Sequence, residues 1–166
     1  MAVILIGGGA RSGKSRYAVG RALAIEGRRA FVATAEALDE EMKARILRHQ
    51  ADRGENFTTI EEPLDLARVI ADSNFDVMVV DCLTLWLSNL MFANRNCDRE
   101  IDALIAAAQH ARRTVIFVTN EVGSGIVPDN APSREFRDRA GILNQRIAAM
   151  AQEVYCMVFG QPLRVK

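Results

Sequence analysis

The amino-acid sequence predicts an α/β fold in which a mostly parallel central sheet is flanked by helices. Short continuous apolar runs such as "VILI" (residues 3–6) and "DVMVVD" (residues 76–81) are typical of strands that are buried on both faces. Segments with apolar residues at helical spacing alternate with these runs, and this alternation favours parallel strand–helix units. Two further strand-like runs close the chain and predict one antiparallel pair at the C-terminal end.

Each strand is predicted from its own apolar segment. In chain order the strands are expected at residues 3–6, 30–34, 57–60, 76–81, 114–119, 153–159 and 163–165. The first ends in a cluster of glycines, and the third, "FTTI", has the weakest pattern. The fifth, "TVIFVT", leads into the glycine-containing loop "NEVGSGIVP".

The helices are predicted from periodicity and from the residues that start and stop them. They are expected at residues 14–26, 38–53, 64–71, 83–92, 100–112 and 132–152. Asp39 is a candidate N-cap of the second helix, and Gly54 is a natural C-terminal stop. Pro63 precedes the third helix. In the last helix, apolar residues such as Phe136 and Leu143 recur at helical spacing.

Composition argues against several classes of function. The 166 residues fit a single domain, and 21 basic and 21 acidic residues give a formal net charge of zero. A nucleic-acid partner is therefore not expected, and any anion site must be local. The three cysteines are scattered without a metal-binding or disulfide pattern, which favours a reducing, cytoplasmic setting. Neither a signal peptide nor a membrane span is expected, because no apolar stretch approaches roughly 18 residues.

The segment "GGARSGKS" matches the phosphate-binding pattern GxxxxGK[ST] and lies between a predicted strand and a predicted helix. Its glycines let backbone N–H groups surround a phosphate, and the helix N-terminus adds partial positive charge. Lys14 would reach the β- and γ-phosphates of ATP or GTP, and Ser15 would ligate Mg²⁺. The predicted phosphate site comprises Gly8, Gly9, Ala10, Arg11, Ser12, Gly13, Lys14 and Ser15.

Asp81 ends a predicted buried strand, as the acidic residue of a Walker B element does. It would hold Mg²⁺ through water, since Mg²⁺ keeps several waters and needs few carboxylates; a strand-end cap is the alternative. These features predict nucleotide binding but name no reaction, because kinases, motors, switches and synthetases all use such a loop. A Ras-like switch protein is disfavoured, because "TNEV" (residues 119–122) lacks the lysine and aspartate of an NKxD segment.

His49, one of two histidines in the chain, lies in a predicted helix between Arg45 and Arg53. At helical spacing these three residues share one arc with Met42 and Ile46, on the side expected to face inward. Three interpretations remain: a structural histidine, a ligand of a nucleotide phosphate, and a nucleophile. Inward-facing arginines call for an anion, and their charge lowers the pKa of an imidazole, which leaves a neutral, nucleophilic nitrogen at pH 7.

Five segments, in order along essentially the whole chain, resemble one family. They are "GGARSGKS", "VATAEALDEEMKARILRHQADR", "TIEEP", "VVDCLTLWLSNL" and "VTNEVGSGIVPDNAPSREFRDRAGILNQRIA". The sequence resembles the bifunctional adenosylcobinamide kinases / adenosylcobinamide-phosphate guanylyltransferases of cobalamin biosynthesis. The resemblance implies a RecA-like P-loop fold, a homotrimer, and adenosylcobinamide and adenosylcobinamide phosphate as substrates.

The resemblance also implies the chemistry. ATP or GTP phosphorylates the aminopropanol hydroxyl of adenosylcobinamide, and GMP from GTP is then attached to that phosphate with release of pyrophosphate. In the family a histidine carries the GMP, and the matching position is His49. The other residues that the resemblance places at the nucleotide site are Thr34, Ala35, Glu36, Gln50, Ala51, Asp52, Arg53, Glu61 and Asp81.

Two questions stay open on the sequence. A carboxylate suits guanine because it accepts hydrogen bonds from N1–H and the exocyclic amine, but "IEEP" offers both Glu61 and Glu62. Glu61 is preferred, and a solvated acidic turn is the alternative. For the activity, the alternatives are a monofunctional P-loop kinase for another small alcohol, in which His49 only binds phosphate, and a RecA-like nucleotide-dependent assembly module.

Overall fold

The computed structural model of the protein describes residues 1–35 and 56–166. The strands are β1 (Val3–Gly8), β2 (Arg29–Ala33), β3 (Thr58–Glu61), β4 (Val77–Asp81), β5 (Thr114–Val118), β6 (Glu153–Val158) and β7 (Gln161–Arg164). The helices are α1 (Lys14–Leu23), α2 (Leu66–Asp72), α3 (Leu83–Phe92), α4 (Cys97–His110) and α5 (Ala131–Met150). The strands form one seven-stranded sheet in the order β3-β2-β4-β5-β1-β6-β7.

Neighbouring strands pair in parallel except for β6 and β7, which are antiparallel. This confirms the predicted α/β class and the antiparallel C-terminal pair. In the register, Ile6 pairs with Val118, and Val118 pairs with Asp81. Ala33 lies between Asp81 and Glu61. The strand ends therefore meet at one level of the carboxyl edge, where ligands of open parallel sheets bind.

The apolar side chains form two clusters, one on each face of the sheet. Along β4, Met78 and Val80 enter the cluster that contains α2, α3, α4 and α5, whereas Val77 and Val79 enter the cluster that contains α1. Burial on both faces explains why this strand is a continuous apolar run instead of an alternating one. Trp86 of α3 is buried in the first cluster, and its indole N–H donates to the Leu64 carbonyl at 2.7 Å.

Several element bounds differ from the predicted ones by a few residues. Helix α1 ends at Leu23, short of residue 26, and the chain then turns through Gly27, whose φ of 111° favours glycine. Helix α4 begins earlier than residue 100, because the Asn96 side chain accepts a hydrogen bond from the Arg99 N–H and caps the helix. The helix predicted at residues 38–53 lies outside the described residues. None of the described helices is long and apolar enough to cross a membrane.

Candidate active site

The segment predicted to bind phosphate forms a loop between β1 and α1. Gly8 and Gly13 have positive φ angles of 146° and 91°, and Arg11 has a φ of 53°. Gly13 is the N-cap of α1, and among the described residues no side chain caps this helix and no acidic residue lies in its first turn. The N-terminal N–H groups of α1 are therefore available to an anion, as the sequence motif predicts.

Gly8 leaves no room for a side chain. A Cβ atom there would lie 2.9 Å from both the Met157 carbonyl oxygen and Ser12 Oγ, whereas nothing lies within 4 Å of a Cβ at Gly9. We expect Gly8→Ala to lower the free energy of unfolding by roughly 1–3 kcal/mol, and Gly9→Ala to change it by less than about 0.5 kcal/mol. Urea denaturation of the two variants measures the difference, and equal stabilities would contradict the close approach at Gly8.

Lys14 places its ammonium group inside this loop. The residue is only 7% exposed, and its Nζ donates to the Gly9 carbonyl at 2.6 Å and to Ser12 Oγ at 3.4 Å. Burial holds the pKa of the Lys14 ammonium below its usual value, and the negative charge of Asp81 offsets only part of this effect. Lys14, in the loop after β1, and Asp81, at the end of β4, therefore lie at the same carboxyl edge of the sheet. This edge suits a phosphate group together with its cation.

Ser15 and Asp81 are the candidate Mg²⁺ ligands. Ser15 is the second residue of α1, Asp81 ends β4, and both are partly buried. Across residues 1–35 and 56–166, no group of three or more His, Cys, Asp or Glu side chains could hold a metal ion. Mg²⁺ bound beside a nucleotide needs only one or two protein ligands, because phosphate oxygens and water complete its octahedron. The residues present fit a cation of this nucleotide-dependent kind.

The two glutamates of "IEEP" have different surroundings. Glu62 Oε1 accepts hydrogen bonds from the N–H groups of Leu64 and Asp65, each at 2.9 Å, and Oε2 pairs with Arg68 at 3.2 Å. Glu62 therefore holds the turn that leads into α2. Glu61 ends β3 and is exposed at the carboxyl edge. Of the two carboxylates, Glu61 is the one open to a ligand.

Thr34 has a structural role that the sequence did not indicate. Its buried hydroxyl donates to the Cys82 carbonyl and accepts from the Cys82 N–H, both at 2.8 Å. The Asn89 amide donates to the carbonyls of Thr34 at 2.8 Å and Pro63 at 3.2 Å. The Thr34 side chain thus ties the ends of β2 and β4 together, and a contact of this residue with nucleotide stays a prediction. Ala35 follows at the sheet edge, and its contact with nucleotide stays a prediction.

A polar network lies where β5 ends, between the phosphate loop and Asp81. Thr119 Oγ1 donates to Asn144 Oδ1 at 2.7 Å, and the Asn144 amide donates to the Asn120 carbonyl at 3.3 Å. The Asn120 amide donates to Thr84 Oγ1 at 2.9 Å. These bonds fix the end of β5 against α3 and α5. Polar residues directly after an apolar strand were a signal for this network, but their partners lie far along the chain.

Glu121 directs its carboxylate into its own turn. The carboxylate accepts hydrogen bonds from the N–H groups of Gly123 at 2.7 Å and Ser124 at 3.1 Å, and from the Ser124 hydroxyl at 2.6 Å. The Ser124 hydroxyl and these amides lower the pKa of Glu121. The backbone N–H of Glu121 donates to the Gly8 carbonyl at 3.1 Å. Glu121 therefore attaches this turn to the phosphate loop and is a poor proton acceptor at neutral pH.

The structure brings one part of the predicted site together at the carboxyl edge of the sheet. That part comprises the loop at residues 8–15 with Thr34, Ala35, Glu61 and Asp81. The predicted residues that lie outside the described part of the chain are Glu36, His49, Gln50, Ala51, Asp52 and Arg53. Their roles stay predictions.

Solved structures share this fold at low sequence identity. The flagellar accessory protein FlaH from Methanocaldococcus jannaschii matches with a TM-score of 0.55 and 13% identity, over 99% of this chain and 78% of that one. The RadB recombinase matches with a TM-score of 0.50 and 20% identity, over 93% of this chain and 73% of that one. These likenesses confirm the predicted RecA-like P-loop fold and show the fold alone.

Curated relatives match over nearly the full chain. The bifunctional adenosylcobalamin biosynthesis protein CobU of Salmonella typhimurium is 40% identical over 184 aligned residues, which cover 99% of each chain. The bifunctional adenosylcobalamin biosynthesis protein CobP of Pseudomonas aeruginosa is 42% identical over 168, covering 98% of this chain and 96% of that protein. The family model for cobinamide kinase / cobinamide phosphate guanyltransferase matches residues 4–165. The chain belongs to the cobinamide kinase / cobinamide phosphate guanyltransferase family.

Proposed function

We propose that the chain performs both reactions of its family, phosphorylation of adenosylcobinamide and guanylyl transfer, with one phosphate-binding loop. The observation that carries this proposal is the buried ammonium of Lys14 inside the loop that follows β1, at the same carboxyl edge of the sheet as Asp81 and Glu61. Both reactions consume a nucleoside triphosphate, so the same loop can hold phosphate groups in each. Glu61, two strands away from Asp81, provides a carboxylate for recognition of guanine.

In the first reaction, the aminopropanol hydroxyl oxygen of adenosylcobinamide attacks the γ-phosphorus of ATP or GTP. A new O–P bond forms, the bond to the β,γ-bridging oxygen breaks, and the hydroxyl proton is released with ADP or GDP. Lys14 and the N-terminal N–H groups of α1 neutralise the charge on the β- and γ-phosphates. Ser15 and Asp81 would hold Mg²⁺, which supplies further neutralisation when bound.

In the second reaction, a neutral nitrogen of His49 attacks the α-phosphorus of GTP. An N–P bond forms, the α,β-bridging bond breaks, and pyrophosphate leaves. The phosphate of adenosylcobinamide phosphate then attacks the same phosphorus, releases the histidine and gives adenosylcobinamide-GDP. Arg45 and Arg53, four residues to either side in the sequence, would stabilise the charge that develops at phosphorus.

Labelled GTP and adenosylcobinamide test this proposal together. We expect γ-label to appear in the corrinoid phosphate, and α-label to appear in adenosylcobinamide-GDP and transiently on the protein. The protein-bound label should be acid-labile and base-stable, as a phosphoramidate is. Transfer of γ-label to another alcohol without protein-bound α-label would favour a monofunctional kinase. Nucleotide turnover that corrinoid leaves unchanged would favour an assembly module.

Glu61→Gln is expected to lower kcat/KM for guanylyl transfer by at least about tenfold, because a glutamine amide cannot accept both guanine hydrogen bonds. Phosphorylation by ATP should stay the same. Glu62→Gln is the matched control: it should lower the free energy of unfolding by about 1 kcal/mol through the lost turn contacts, and leave the use of GTP unchanged. If Glu62→Gln impaired guanylyl transfer and Glu61→Gln did not, the assignment would be reversed.

The family resemblance further supports a homotrimer that works in the cytoplasm. Apolar side chains at the surface, among them Phe92 at 85% and Ile126 at 97% exposed, are consistent with association between copies. The cysteines are free thiols, as a reducing compartment would leave them. Light scattering should give a particle of three chain masses, and a monodisperse monomer would exclude the trimer.

A further inference from the structure

A groove of about 320 Å³ opens beside the phosphate loop, toward the β6–β7 end of the sheet and away from Glu61 at the β3 end. It is lined by one face of α1 and by the β6–β7 hairpin, namely by Gly13, Arg16, Tyr17, Gly20, Arg21, Met157 and Gly160. Gly13 is also the N-cap of α1 and part of the phosphate loop. The groove is therefore continuous with the predicted phosphate site, and neither of the reactions described above places a substrate group in it.

Glycines keep this groove open. Gly20 lies within α1, where glycine is less favourable than alanine, and no atom lies within 4 Å of the position its Cβ would take. The backbone does not require glycine there, since Gly20 has a helical conformation. At the two ends of the groove, Gly13 and Gly160 have φ angles of 91° and 80°. An exposed helical glycine facing empty space marks a position where a side chain would occupy the groove.

One wall of the groove is held rigidly and offers aromatic surface. Arg21 bonds both carboxylate oxygens of Glu153, at 3.0 and 2.9 Å, and its guanidinium lies 5.2 Å from the centre of the Tyr155 ring. Tyr17 packs edge-on against Tyr155 with ring centroids 5.4 Å apart. Arg16 is exposed and makes no ion pair with the rest of the described residues. The groove thus combines a fixed apolar wall with a guanidinium that is ready to donate.

We propose that this groove binds the ribose and purine base of the triphosphate used in phosphorylation. The seven residue steps along α1 from its N-cap, Gly13, to Gly20 span about 10 Å, which matches the reach of a nucleoside from a phosphate held at the helix N-terminus. The walls suit the faces of a purine, and the Arg16 guanidinium suits the hydrogen-bond acceptors of its ring. No carboxylate is among the described lining residues, so the groove accepts adenine as well as guanine.

This inference rests on the proposed function and deepens it. Guanine bound at Glu61 and a purine bound in the groove lie on opposite sides of the same loop. For phosphorylation, the triphosphate would therefore lie in the loop with its nucleoside toward the groove. For guanylyl transfer, it would lie with its nucleoside toward Glu61. The first direction presents the γ-phosphorus to the acceptor, and the second presents the α-phosphorus to His49.

Calorimetric titration of ATP and of tripolyphosphate, which has no nucleoside, tests the groove directly. We expect Gly20→Leu to weaken ATP binding at least about tenfold while changing tripolyphosphate binding by less than about twofold. Gly141→Leu is the matched control, since Gly141 is a helical glycine of α5 that also has nothing within 4 Å of a Cβ, and it should leave both affinities unchanged. Guanylyl transfer from GTP should be unaffected in Gly20→Leu.

Two results would overturn the inference: ATP affinity that Gly20→Leu leaves unchanged, or an equal loss of tripolyphosphate affinity, which would place the effect on the loop itself. Arg16→Ala, which removes an exposed side chain, gives a second test if Gly20→Leu fails to fold, and it should also weaken ATP but not tripolyphosphate. If the wild-type protein bound neither ATP nor tripolyphosphate, phosphate binding by the loop would be contradicted, and with it the proposed function.

Discussion

Replacing Lys14 by alanine is expected to slow both phosphorylation and guanylyl transfer, each by about 10²-fold or more. The ammonium group is buried in the loop, 2.6 Å from the Gly9 carbonyl, and in both reactions it would neutralise phosphate charge that grows toward the transition state. Following the γ- and α-labels of GTP separately gives kcat/KM for each reaction.

Lys166→Ala is a suitable control for this change. Lys166 is exposed and donates to the carbonyls of Ala148 and Ala149 at 3.3 and 3.0 Å, beside the end of α5 and not at the phosphate loop. Both rates should be retained in this variant. If Lys14→Ala impaired only one of the two reactions, a loop shared by both would be excluded.

His49→Ala is expected to abolish guanylyl transfer and protein labelling by α-labelled GTP, and to change phosphorylation by less than about threefold. The reason is that only the second reaction requires a nitrogen nucleophile at the α-phosphorus. His110→Ala is the matched control, because His110 is exposed at the end of α4 with its Nδ1 2.7 Å from the Ala106 carbonyl. Loss of phosphorylation in His49→Ala to the same degree would assign His49 to phosphate binding in both reactions.

The sequence predicted the sheet well because the relevant signals are local. A strand that is buried on both faces must be apolar at successive positions, and β4 shows this pattern between residues 77 and 80. The phosphate loop was equally predictable, since its glycines, Lys14 and the start of α1 are adjacent in the chain. Boundaries were less predictable where one side chain decides them, as the Asn96 cap does for α4.

The sequence was less informative where a role depends on contacts between distant segments. The hydroxyl of Thr34, a residue predicted to line the nucleotide site, bonds the backbone of Cys82, and nothing near Thr34 in the sequence indicates this partner. Thr119 and Asn144 are likewise joined only by packing of α5 against the sheet. Glu61 and Glu62 are adjacent and chemically identical, so only the turn contacts of Glu62 separate their roles.

The assignment of His49 is tested most directly by locating the guanylyl group on the protein. Trypsin cleaves after Arg48 and Arg53, so His49 lies in the short peptide "HQADR", apart from His110. We predict that, after reaction with GTP and quenching in base, mass spectrometry finds the guanylyl group on this peptide. An adduct on the segment that contains Lys14, which would also be an acid-labile phosphoramidate, or the absence of any adduct, would contradict a histidine-bound intermediate.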